Sequence, residues 1–320
     1  MSAADRPLNR LKTRDGKIPF RVRLKAWWDG HEVKLRYKER TAEEDEAAGG
    51  RQGRLSDLPW DEARIALVQD VWGEGCSSPG DETYLCELVK PFALTEHMSV
   101  VDVGAGLGEA VRAIAKTFHC RSKGFEPDPK LVAAATELSQ AALIASRAKV
   151  LPFDDPTFPP APNSVDCVLS KEFFYLVEDK RSLLTGLIEG LKQPGQLLFT
   201  DYVLASEDGP RNTVAAWAKV DPEPIHLWTV AAYEALFAEL GLEHRISEDI
   251  SDSLKTRMVK GWEQFISSQK RGGAKDHIAP LMVREIEIWT RRAAALQSGQ
   301  LRAYRFFALK RNQGQKLSIA

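Results

Sequence analysis

Long apolar runs are missing from this 320-residue chain: no stretch approaches the length of a membrane span, and the first residues hold no apolar signal segment. The expectation is a cytoplasmic protein. Cysteine is scarce as well. Cys76, Cys86, Cys120 and Cys167 lie far apart, without the spacing of a metal site. They are read as reduced thiols, so neither a metal centre nor a disulfide framework is expected. An excess of one charge is also absent: 44 Lys and Arg against 45 Asp and Glu give a formal net charge of −1. With that balance and no recognisable nucleic-acid module, nucleic acid is excluded as a partner.

What is present is enough apolar sequence, 43%, to bury a sizeable core. Charge is uneven locally. Residues 1–40 are rich in Lys and Arg, and Glu43, Glu44, Asp45 and Glu46 follow as an acidic run. The segment LNRLKTRDGKIPFRVRLKAWWDG interleaves its cations with Ile18, Phe20, Val22, Leu24, Trp27 and Trp28. Cations beside Trp suit peripheral contact with a membrane surface. The same segment also suits an arm packed on its own domain or on a second subunit, and an oligomer is one reading. Residues 41–59 are polar and weakly periodic, as a linker would be. The organisation expected is therefore a basic arm and linker over 1–59 and one domain over 60–320.

From Asp61 the pattern becomes regular. DEARIALVQDVW has helical spacing, SVVDV (99–103) reads as a buried strand, and EAVRAIAKTF (109–118) as a helix. KGFEP ends a second strand, KLVAAATELSQAALIAS is a helix, and AKVLPF is a third strand. VDCVLS (165–170), KRSLLTGLIEGLK and QLLFTDYV (196–203) continue the alternation. Strands alternating with helices of this length imply an α/β fold, a parallel sheet covered on both faces. After Val203 the rhythm changes to DPEPIHLW, a helix over 230–241, a strand near HRISEDI, two long helices, and a strand at LRAYRFFALKR.

VVDVGAGLGEAVRAIA is a strand, a glycine turn and a helix. Gly104, Gly106 and Gly108 let the backbone approach a ligand at the helix N-terminus. Dinucleotide enzymes place G-x-G-x-x-G at the same point, so the turn alone does not choose a ligand. Asp102, inside the strand before the turn, is suited to hold an amino acid's ammonium group. Glu126, at the end of GFEPDP's strand and before Pro127, is placed to accept both hydroxyls of a ribose. Asp154 ends the third strand where a carboxylate accepts from an exocyclic amine, and Phe153 covers a base. Together these residues resemble the class I methyltransferases that bind S-adenosyl-L-methionine. A nicotinamide-binding Rossmann protein is the alternative, and it lacks a second nucleotide-binding half downstream.

The resemblance sharpens upstream. WGEGCSSPGDET (72–83) precedes the turn by about two dozen residues and is similar to the G-E-G-x-x-S-x-G-G segment of the phosphoethanolamine methyltransferases, which are related to the sterol and sarcosine enzymes. SKEFFYLVEDK resembles that family's S-R-D-x-x-L-H-I-x-D-K, LKQPGQLLFTDYV its L-K-P-G-G-x-x-L-x-T-D-Y, and SEDISDSL its late A-E-D-x-T-D. Coverage runs from about Trp60 to Leu254. The resemblance implies a Rossmann-like seven-stranded sheet whose last strand is antiparallel, and a helical cap from about 204–240 and 252–297. It implies cofactor contacts from Trp72, Gly73 and Ser78 in the cap segment and from Lys171 at the family's arginine.

Departures bear on the acceptor. The family histidine falls on Leu176, its upstream tyrosine near Trp60, and the arginine and tyrosine that hold phosphate on Glu223 and Ile225. An acidic residue in place of a phosphate-binding cation disfavours phosphoethanolamine. Glu172, at the family's aspartate, remains, with Tyr202 after strand five. Phe173, Phe174, Tyr175, Trp217 and Trp228 are candidate wall residues, some of them core instead. Aromatic faces suit a sulfonium and a cationic amine alike. Methyl transfer by in-line displacement needs a base only if the nucleophile arrives protonated; Glu172, Tyr175 and His226 are candidates. The reading is a transferase that moves methyl to a small-molecule or lipid-headgroup acceptor, an amine favoured. A hydroxyl or thiol of a hydrophobic metabolite is the rival acceptor, and a non-catalytic cofactor-binding protein the rival role.

Overall fold

Val100, Val101 and Val103 are all buried because β1 (Ser99–Val103) runs up the middle of a sheet with helices on both sides. The computed structural model describes residues 58–272 and 279–311, with the side chains of 269–272 left aside. The basic arm and nearly all of the linker, residues 1–57, lie outside the described residues. The strands that follow are β2 (Arg121–Glu126), β3 (Ala148–Pro152), β4 (Val165–Lys171), β5 (Leu191–Leu204), β6 (Trp228–Thr229), β7 (Glu243–Asp249) and β8 (Leu301–Lys310). Their order is β3-β2-β1-β4-β5-β8-β7, with the two-residue β6 beside the end of β5. Pairing is parallel from β3 to β5, and β8 is antiparallel to both β5 and β7. The seven expected strands, with the last one inserted antiparallel, are therefore observed, and β6 adds a short eighth.

The helices are α1 (Glu62–Trp72), α2 (Glu82–Leu88), α3 (Glu109–Phe118), α4 (Pro129–Ala141), α5 (Lys180–Gly190), α6 (Asn212–Ala218), α7 (Val230–Glu239), α8 (Ser251–Gly272) and α9 (Ala279–Gln297). Aspartates start four of them. Asp61, Asp81, Asp128 and Asp179 each accept a backbone N–H of the first turn of α1, α2, α4 and α5. α3 differs: it follows left-handed Gly108 and has no side-chain cap. α4 stops at Ala141, short of the helix expected to Ser146, because Leu143 turns left-handed and sends Ile144 back against Ala148 and Val150. Neither α2 nor α6 was signalled by periodicity.

Alternation along the strands divides the core. Val101, Val103, Val168, Leu197 and Phe199 face α5 and α7, while Val100, Cys167, Leu169 and Leu198 face α2 and α3. α7 belongs to the first layer through Tyr233, Leu236 and Phe237. Phe199 is its hub, with Phe306 at 4.8 Å, Phe174 at 5.0 Å and Tyr233 at 5.1 Å between ring centroids. Phe199→Ala should therefore destabilise the domain by about 3–5 kcal/mol in urea denaturation, with an unchanged far-ultraviolet spectrum at zero denaturant.

Candidate active site

The carboxyl ends of β1, β2 and β4 meet where the strand order reverses, the place an open α/β sheet leaves for a ligand. There the chain makes a turn that only glycine fits. Gly104, Gly106 and Gly108 have φ of 73°, 54° and 76°, and a Cβ on Gly104 would fall 2.0 Å from the Phe173 ring. Glu126 ends β2 beside the turn: its Oε2 accepts from the Gly106 N–H at 2.8 Å and its Oε1 from Asp128 N–H at 3.0 Å. Burial pushes the Glu126 carboxyl up to about 7, against the pull of those two N–H groups.

Asp102 is 2% exposed, and its Oδ1 has no hydrogen-bond partner. Burial, reinforced by Glu109, pushes its carboxyl up to about 8, with Lys171 opposing. A buried acceptor without a donor, next to a cradle that a Cβ would fill, fits the ammonium and ribose ends of an aminoacyl nucleoside cofactor. Phe153 stacks on Phe158 at 4.4 Å and meets Phe173 edge-on at 5.7 Å. Asp154 is exposed in the turn after β3, and Pro127 is exposed after β2.

The segment over 73–80 is pinned to α3. Arg112 donates to Gly75 O at 2.8 Å, Ser77 hydrogen-bonds Glu109 at 3.4 Å, and Lys171 pairs with Glu109 at 3.1 Å while donating to Ser78 Oγ. Burial alone would lower the Lys171 ammonium, but Glu109, Glu172 and Tyr84 hold it above its usual range. Ser78 and Lys171 thus stand together beside the turn. Gly73 is exposed at the end of α1. Trp72 packs on Trp262 and Trp289, and a Cβ on Gly261 would strike its ring. Cys76 is a buried thiol, pushed up to about 12 by burial and by Glu109.

Glu172 follows β4 with φ of 53°, a left-handed conformation costly for a residue with a side chain. Its N–H donates to Thr200 O at 2.7 Å, and both carboxylate oxygens are buried without a partner. The aromatic run after it divides three ways. Phe173 covers Gly104, Phe174 is fully buried on Phe199, and Tyr175 turns toward Tyr202 at 5.1 Å and Trp217 at 5.6 Å. Trp228 instead packs on Tyr233 at 5.2 Å. Tyr202 is fully buried on β5 with its hydroxyl unpartnered. Burial raises both the Tyr175 and Tyr202 phenols, and Glu172 adds to each. His226 enters through its backbone, its N–H donating to Tyr175 O at 2.6 Å and its carbonyl accepting from Lys180. Asp201 fixes the same turn by accepting from Tyr175 N–H at 2.9 Å and Tyr233 OH at 2.6 Å.

Residues the sequence reading missed complete the site. Tyr84 on α2 and Arg257 on α8 stack at 3.7 Å, and the Tyr84 hydroxyl and two guanidinium nitrogens of Arg257 are buried without partners. Arg292 on α9 is 7% exposed and pairs with Asp221 at 2.9 Å. A signal existed for it: Arg292 falls three residues after Trp289 and four after Ile288, on the buried stripe of α9. A charge on an apolar stripe announces a buried partner, as does Glu285, which pairs with Arg64 at 2.6 Å. Among the described residues no group of three or more His, Cys, Asp or Glu is placed to hold a metal, and no helix is long and apolar enough to cross a membrane.

A family model described as a methyltransferase domain matches residues 80–245, just over half of the chain. Phosphoethanolamine N-methyltransferase 1 of Zea mays is 24% identical over 237 residues, 74% of this chain and 46% of its own. Phosphoethanolamine N-methyltransferase 3 of Arabidopsis thaliana is 26% identical over 236 residues, 72% of this chain and 47% of its own. The chain spans about half the length of these curated relatives. Among solved structures, Haemonchus contortus phosphoethanolamine N-methyltransferase 2, in complex with phosphomonomethylethanolamine and S-adenosylhomocysteine, superposes with a TM-score of 0.70 at 17% identity, covering 81% of this chain and 60% of that one. A putative sarcosine dimethylglycine methyltransferase from Galdieria sulphuraria gives 0.64 at 16% identity, covering 78% and 99%. At these identities the structures share the fold.

The two raised carboxyls by the turn give a pH signature. Both stand above their unfolded values, about 8 against 3.8 for Asp102 and about 7 against 4.5 for Glu126. Between those values the folded state keeps protons that the unfolded state has released, so the stability they contribute, full below about pH 4, is lost progressively as pH rises from about 4 through about 8. Thermal denaturation without ligand should show Tm falling across that window, and Asp102→Asn should flatten the fall; an unchanged slope in the variant would contradict the assignment.

Proposed function

The chain belongs to the methyltransferase-domain family, and on that premise we propose that it transfers methyl from S-adenosyl-L-methionine to an amine of a small molecule or lipid headgroup. The observation that carries the reading is Glu172: a carboxylate with both oxygens buried and unpartnered, held in a left-handed backbone at the end of β4 beside the glycine turn. The phosphoethanolamine N-methyltransferases among its relatives support an amine acceptor. When bound, the cofactor supplies an electrophilic methyl on a sulfonium. Asp102 would hold its ammonium end and Glu126 its ribose, with Gly104 and Gly106 giving the backbone room for it.

The protein's own part is alignment and exclusion of water rather than covalent chemistry. Glu172 would accept hydrogen bonds from the acceptor's N–H groups and so orient the nitrogen lone pair. Backbone strain at Glu172 fixes that direction, since Thr200 O holds its N–H and Asp201 holds Tyr175 three residues on. Tyr202, with a buried free hydroxyl, is a second group able to contact the acceptor. His226 would contribute by holding Tyr175 through its backbone. Glu223 is exposed and Ile225 only half-buried, so neither replaces the phosphate-holding pair of the resemblance, and phosphoethanolamine stays disfavoured.

The test is incubation of the protein with isotopically labelled methyl donor and a cell extract, read by mass spectrometry. A labelled amine should appear with wild type, and Glu172→Gln should lower its rate by about 100-fold or more while donor affinity changes little. Label on oxygen or sulfur, or a Glu172→Gln rate equal to wild type, would overturn the amine assignment.

A further inference from the structure

The strongest unexplained feature is what fills the aromatic cluster beside Glu172. Tyr175, Tyr202, Trp217 and Trp289 surround one point, and that point is occupied by the chain's own cation. The Arg292 guanidinium carbon lies 5.6, 5.2, 5.0 and 4.5 Å from those four ring centroids. All four distances fall within cation–π range. Asp221 locks the arrangement, accepting from Arg292 Nη2 at 2.9 Å and from Trp217 Nε1 at 2.7 Å, and Arg292 also donates to Tyr175 OH at 3.2 Å. The cage adjoins Glu172: Tyr175 follows it by three residues, and the Glu172 N–H donates at 2.7 Å to the carbonyl of Thr200, two residues before Tyr202.

We propose that Arg292 closes this cage to methylated ammonium groups, so that methyl transfer to an amine stops at the tertiary stage. The inference rests on the amine-methylating reading above and adds the product that reading leaves open. In each transfer the amine lone pair forms the N–CH3 bond, the electron pair of the broken S–CH3 bond stays on sulfur, and one ammonium proton leaves to solvent. Every round therefore removes one N–H. Primary, secondary and tertiary ammonium groups still offer at least one N–H to the Glu172 carboxylate. A quaternary ammonium offers none, and what an enzyme can give it instead is aromatic faces. Here those faces are taken. The quaternary product, and the transition state that leads to it, meet a carboxylate they do not hydrogen-bond and rings already stacked on Arg292.

The chain thus carries a selectivity element on α9, 120 residues from Glu172, that the motifs around the cofactor do not encode. Arg292 acts by occupying space and ring faces, and no contact between it and the reacting atoms is needed. It is a specificity residue and not a catalytic one.

Titration with tetramethylammonium chloride, followed by the fluorescence of the tryptophans and controlled with sodium chloride, reads the cage without any acceptor or turnover. Wild type and Arg292→Lys, which keeps a cation in the cage, should show no saturable change. Arg292→Ala should show saturable binding at least about tenfold tighter than either. A saturable change in wild type overturns the proposal, as does a folded Arg292→Ala that behaves like wild type. A second measurement covers an alanine variant that fails to fold: mass spectra of the labelled products of wild type should end at the tertiary amine, and a quaternary product overturns the inference. Absence of any transferred label would sink the methyl-transfer reading and leave the titration to judge the cage.

Discussion

The domain is organised around carboxyl groups kept in the dry with oxygens that have no partner. Asp102 and Glu172 lie at the carboxyl ends of neighbouring strands, and one oxygen of Asp102 and both of Glu172 are buried with nothing to accept from. Such groups cost stability in the folded protein alone. They persist because the surroundings leave them no alternative. Gly104 and Gly106 let the chain turn sharply after Asp102, and Glu172 is fixed left-handed between the Thr200 carbonyl and the Asp201 clamp on Tyr175. A ligand bearing cationic and hydroxyl groups would relieve that cost, so affinity and orientation would come from the same strain.

The sheet provides the rigidity this requires. β1 and β4 are covered on both faces, and the ring cluster about Phe199 joins the sheet to α7 and the 3₁₀ turn at Phe174–Leu176. That turn divides an aromatic run of three residues among three jobs: one ring on the glycine turn, one in the core, and one in the cage. Cation–π stacking on Arg292 then ties the cage to α9, and Trp72, Trp262 and Trp289 extend the packing to α1 and α8. The cage draws Trp217, Trp289 and Arg292 from helices late in the chain, whereas the glycine turn and its carboxyls come from strands early in it.

This division explains what the sequence revealed. Strands β1 to β5 and helix α3 were legible because local periodicity records burial, and the glycine turn was legible because left-handed backbone selects one residue type. Glu172 was singled out by the resemblance, as the residue at the family's aspartate. The packing of Trp72 on α8 and α9 was not legible, since Trp262 and Trp289 lie 190 and 217 residues away. Tyr84 and Arg257 were missed because they stack across 173 residues, and Arg292 because its ion-pair partner Asp221 is 71 residues distant; no local pattern records such pairings. The charge on the apolar stripe of α9 was the signal at hand for Arg292.

The central claim is that the turn after β1 holds S-adenosyl-L-methionine through Asp102 and Glu126. Isothermal titration calorimetry of wild type, Asp102→Ala and Glu126→Ala with S-adenosyl-L-methionine and with NAD tests it most directly. The account predicts saturable binding of S-adenosyl-L-methionine by wild type, loss in both variants, and no binding of NAD. Normal affinity in both variants, or a preference for NAD, would contradict it.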